Sequence, residues 1–151
     1  MTIIKHIGIA TLALATFGLS VLPAQAAKEE KTPYQQSVQA GNCYNTLYCL
    51  VNFPATTAQT AIHSVSCWSV VSSGAVIQQL SLSFTNSNAS LTSVELPIFS
   101  EGPNGQGLTT GSNLQTLLFV DQGVAPLIFF QLDSGSLTYL SCTIAGYTLA
   151  P

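Results

Sequence analysis

Hydrophobic and polar residues alternate with a period of two along most of this chain, and no stretch carries a capped 3.6-residue pattern. The clearest run is Leu80-Ser81-Leu82-Ser83-Phe84-Thr85, apolar on one face and hydroxylated on the other. Leu47, Cys49, Val51 and Phe53 share one face of an earlier segment that Pro54 ends. The next segment is expected to place His63, Val65 and Cys67 on one face, with Ile62, Trp68 and Val70 opposite. Val94, Leu96 and Ile98 alternate around Pro97, the mark of an edge strand. Leu114 to Val120 and Leu127 to Leu132 are apolar on both faces and read as central strands. Ser136 to Leu149 alternates through Leu140, Cys142 and Ile144, and its apolar phase switches at Gly146, which suggests a bulge.

Turn residues punctuate these runs. They cluster at Ser72-Ser73-Gly74, Asn86-Ser87-Asn88, Gly102 to Gly107, Asp121-Gln122-Gly123 and Asp133-Ser134-Gly135. About seven strands at short, turn-marked intervals predict an all-β fold, a single antiparallel β-sandwich with Greek-key-like connections. A small β-barrel is the alternative.

The first 26 residues read as a signal peptide. Lys5 precedes an apolar run from Ile7 to Leu22, and Ala24-Gln25-Ala26 supplies the small-x-small cleavage pattern. The run is shorter than the ~20 residues of a spanning helix and stops at Pro23, so no transmembrane anchor is expected in the mature chain. Residues 27–39 are charged, Gln-rich and contain Pro33, and are expected to be a flexible arm. The sandwich is assigned to residues 40–151. The destination implied is the periplasm or the exterior, in a leader of bacterial style.

Four cysteines remain after cleavage: Cys43, Cys49, Cys67 and Cys142. In an exported chain an even count points to disulfides. Of the three pairings, Cys43–Cys49 and Cys67–Cys142 is favoured, because the first closes a short loop and the second ties an early strand to the last one. A zinc site fits poorly, since no close Cys-x2-Cys pair is present.

From Thr32 to the last residue there is no Lys or Arg. A surface without cations cannot clamp phosphates, which excludes nucleic acid as a partner and disfavours anionic ligands. It also removes the lysines that normally protect sheet edges from pairing with other chains. Self-association or strand-sharing with a protein partner is therefore expected.

Chemistry-bearing residues are few. His63 is the only histidine after the leader, and a small hydrolase would need it beside a hydroxyl and an orienting carboxylate. No Gly-x-Ser-x-Gly elbow accompanies it. Asp121 and Asp133 each open an Asp-x-Gly turn, where a carboxylate is expected to cap its own backbone. Glu95 is expected on the solvent face of a strand. Glu101 opens a Gly/Pro-rich loop, and with Asn104 offers oxygen ligands for calcium but only one carboxylate. Trp68, Tyr44 and Tyr48 are the candidates for ligand contact, by stacking on neutral sugar rings. No catalytic residue, metal or cofactor is assigned. The sequence thus reads as a secreted, non-enzymatic structural or interaction domain, with a neutral-carbohydrate-binding module and a His63 hydrolase as alternatives.

Overall fold

A computed structural model describes residues 31–40, 43, 46–104 and 107–149, apart from the Asn104 side chain. The leader, residues 27–30 and Tyr44 lie outside the described residues. Alternation of the kind seen in the sequence yields strands: β1 (Lys31–Gln39), β2 (Tyr48–Asn52), β3 (Thr60–Val71), β4 (Val76–Thr85) and β5 (Leu91–Glu95), then β6 (Phe99–Asn104), β7 (Gly107–Val120), β8 (Leu127–Ser134) and β9 (Leu137–Leu149). They form two antiparallel sheets, a five-stranded one in the order β1-β9-β3-β7-β6 and a four-stranded one in the order β2-β8-β4-β5. Only β4–β5 and β6–β7 are hairpins within a sheet. Every other connection crosses between sheets, which gives the Greek-key-like sandwich predicted from the alternation.

The two inner faces meet in one core. Cys49, Val51, Leu80, Leu82, Phe84, Ile128 and Phe130 point into it from the four-stranded sheet. Ile62, Val65, Cys67, Leu140, Cys142 and Ile144 meet them from the other. Fully burying each large apolar side chain stabilises the fold by about 1.5–3 kcal/mol before entropy is counted. Both expected disulfides are present. Cys67 and Cys142 are direct cross-strand partners on β3 and β9, with Cα atoms 4.1 Å apart. Cys43–Cys49 ties the approach to β2 onto that strand.

Three expectations need correction. Lys31–Gln39 is not the end of a flexible arm but β1, paired with β9 from Lys31↔Leu149 to Gln39↔Ser141. Its pattern is faint because its exposed positions carry Gln and Ser, and only Tyr34 and Val38 pack on the core. The Tyr34 hydroxyl is buried with no hydrogen-bond partner among the described residues, and burial raises its pKa. The turn-rich stretch at Gly102 hides β6, which completes the five-stranded sheet.

The third correction concerns His63. The register of β3 shifts between Ile62 and Ser64 against both neighbours: against β9 His63 is an extra, bulged residue, and against β7 it is opposed by two residues, Thr116 and Leu117. Ile62 therefore joins Val65 and Cys67 in the core, while His63 turns outward and is exposed, as Trp68 is. The phase change expected at Gly146 is opposite this point, but the bulge belongs to β3. Gly146 is needed because a Cβ there would overlap the Ala61 carbonyl.

Candidate functional site

The sandwich has two outer faces, and the candidate aromatics fall on different ones. Tyr48 is on edge strand β2, 66% exposed, flanked by the exposed Leu47 and Leu50. Trp68 is on β3 in the other sheet, 42% exposed. The two do not meet, so no patch combines Trp68 with Tyr48.

Trp68 has other company. Phe99 on β6 pairs with Gly111 on β7, and Gly111 pairs with Trp68 on β3. Two aromatic residues thus stand in one row with a residue lacking a side chain between them. Strand spacing places their backbones about 10 Å apart. The β6 register shifts between Ser100 and Gly102, and the bulged residue is Glu101. A bulge re-aims its side chain, and the Glu101 carboxylate here lies over Gly111. A Cβ at Gly111 would come 2.6 Å from its Oε1. Ser66 and Asn113, paired one row along and exposed, complete a cleft of about 280 Å3. Trp68 is braced from behind by Tyr139, in an edge-on contact with ring centroids 5.0 Å apart.

The remaining polar groups are occupied structurally. His63 packs against Tyr147, centroids 4.7 Å apart, and makes no hydrogen bond among the described residues. Among the described residues no hydroxyl or carboxylate is hydrogen-bonded to it as a triad requires. Lys31, the only cation among the described residues, lies 4.3 Å over the other side of this cluster, at the Tyr147 ring. Asp121 does not cap its own turn. Its Oδ2 accepts hydrogen bonds from the Ser87 backbone N–H at 3.0 Å and the Ser87 hydroxyl at 2.5 Å, joining two turns distant in sequence. Those bonds, the hydroxyl first, hold its pKa below the ordinary carboxylate range. Asp133 is exposed near the end of β8, and Glu95 is exposed at the end of β5. No cluster of three or more His, Cys, Asp or Glu side chains suited to a metal occurs among the described residues. With all four cysteines in disulfides, none is left as a zinc ligand.

One backbone feature stands out beside the cleft. β6 covers β7 only as far as Gly111, so residues 112–120 have no strand partner on that side among the described residues. This run, Ser-Asn-Leu-Gln-Thr-Leu-Leu-Phe-Val, contains no charge, Pro or Gly. Leu117 and Phe119 on it are 54% and 47% exposed. Its far end is capped, because the Asn86 side chain donates to the Phe119 carbonyl and accepts from the Asp121 N–H, each at 3.2 Å. Sequence reading places this segment as a covered central strand. The early stop of β6 leaves the outer edge of β7 open from Ser112 onward.

No family model matches this chain, and no curated protein or solved structure matches it either.

Proposed function

We propose that this chain is an exported, non-enzymatic interaction domain of the cell envelope or exterior that works by contact, and that it associates with a second copy of itself through the open edge of β7. The open run at residues 112–120 carries this reading. The other edges have some form of protection. β1 has Lys31 and Pro33, β5 ends in Glu95, β6 has a bulge and Pro103, and β2 is only five residues long. The free run of β7 has no Lys, acid or Pro, and its one irregularity is the extra residue at Thr116–Leu117 opposite His63. An antiparallel partner strand would satisfy its unpaired backbone groups and cover Leu117 and Phe119. Export is supported by the leader-like start and by the two disulfides.

Sedimentation velocity of the oxidised protein over a wide concentration range tests this. Wild type is expected to associate, and Leu117→Lys to remain a monomer with unchanged circular dichroism. A wild-type protein that stays monomeric at every concentration would sink the proposal. A second reading, a module for neutral carbohydrate, draws on the Trp68–Phe99 cleft. The hydrolase alternative finds no comparable support around His63.

A further inference from the structure

We propose that the cleft formed by Trp68, Phe99, Glu101 and Gly111 binds one neutral, pyranose-sized sugar ring, standing alone or within a glycan. This deepens the carbohydrate reading and rests on it, and it is independent of association through β7.

Size comes first. At about 280 Å3 the cleft lies just below the ~300 Å3 at which pockets for drug-sized molecules begin, so a single ring is the matching guest. Shape is set by the row Phe99–Gly111–Trp68, in which two rings rise about 10 Å apart at their bases over a floor without a side chain. A saturated ring with apolar C–H faces fits between aromatic walls, which gain by covering apolar area. Tyr139 holds the indole in place before any ligand arrives, which lowers the ordering cost of binding.

The polar groups select the chemistry. Glu101 is an acceptor with no hydrogen-bond or ion-pair partner among the described residues, and it is aimed over the floor by its bulge. Asn113 offers both donors and an acceptor, and Ser66 a hydroxyl. Hydroxyl groups, which donate and accept, match that mixture. An anion would be repelled by Glu101, and Lys31 is committed to Tyr147 at the other end of the sheet face. A purely apolar guest would desolvate Glu101 without replacing its water. An organic cation would use Trp68 and Glu101 but leave the Asn113 donors facing a group that cannot accept.

Trp68 is the sole tryptophan of the chain, so intrinsic fluorescence reads this cleft directly. The oxidised protein is titrated with neutral gluco-, manno-, galacto- and xylo-oligosaccharides, and separately with tetramethylammonium. At least one oligosaccharide is expected to shift or quench Trp68 emission saturably. Gly111→Val, which fills the floor and displaces only the flexible end of Glu101, is expected to abolish the response. The exposed Phe99→Ala is a second variant, expected to weaken binding should Gly111→Val not fold. Glu101→Gln is expected to weaken it about tenfold by removing a charged acceptor. An oligosaccharide bound as tightly by Gly111→Val and Phe99→Ala as by wild type would overturn this site while leaving the carbohydrate reading in place. No response to any oligosaccharide would overturn both. A response to tetramethylammonium alone, lost in Glu101→Gln, would reassign the cleft to cations and overturn the proposal.

Discussion

Individual side chains in this protein act mostly as fasteners between turns. Asp121 shows this best. Its carboxylate receives the Ser87 hydroxyl and N–H, while the Thr56 hydroxyl donates to the Asp121 carbonyl at 2.5 Å and to that of Val124 at 3.3 Å. Because the folded pKa of Asp121 is lowered, the unfolded chain takes up its proton first as pH falls. The stabilisation is therefore fully present above the ordinary carboxylate pKa and disappears as pH drops through the lowered folded value. Wild type is expected to be more stable than Asp121→Asn at neutral pH, with the two denaturation curves converging in acid. Carboxyl NMR should place the Asp121 midpoint below the usual range and move it part of the way back in Ser87→Ala, which keeps the backbone N–H bond. An ordinary midpoint in wild type would remove the link between the turns. Sequence inspection reveals the Asp-x-Gly turn but not this partner, since Ser87 lies 34 positions away and only the fold brings the two together.

At the level of strands, legibility follows the strength of alternation. Leu80 to Thr85 and Leu140 to Ile144 declare themselves because Leu, Phe, Ile and Cys alternate with Ser and Thr. β1 does not, because Gln36 occupies one of its inward positions and Pro33 reads as an interruption. β6 is masked by Gly102 and Pro103, residues that mark turns elsewhere in this chain. The cleft is half legible for the same reason. Trp68 is conspicuous in the sequence, whereas Phe99, Glu101 and Gly111 join it only through a register that no local pattern encodes. Hydrogen exchange can test the β1 assignment. About every second amide from Thr32 to Gln39 should be protected by β9, the alternate ones facing solvent. Uniformly fast exchange across this segment would return it to the status of an arm.

For the molecule as a whole, the disulfides contribute unequally. In the chain-entropy model, the Cys67–Cys142 bridge, closing a separation of 75 residues, is worth about 4–5 kcal/mol. The six-residue separation of Cys43–Cys49 is worth about 2 kcal/mol. The double variant Cys67→Ala/Cys142→Ala should thus lose roughly twice as much as Cys43→Ala/Cys49→Ala in chemical denaturation. Equal losses would show that the long bridge acts by something other than restricting the unfolded chain.

The antiparallel pairing of β1 with β9 has one more outcome. Lys31 sits directly across from Leu149, so the two ends of the described domain lie side by side, about 5 Å apart at the backbone. A short glycine-serine bridge would splice them, and a fresh start could then be opened in an exposed turn such as Ser72–Ala75. Such a rewired chain would keep every strand beside its present neighbours, and β1 would enter the sheet as a continuation of β9 rather than as the first strand made.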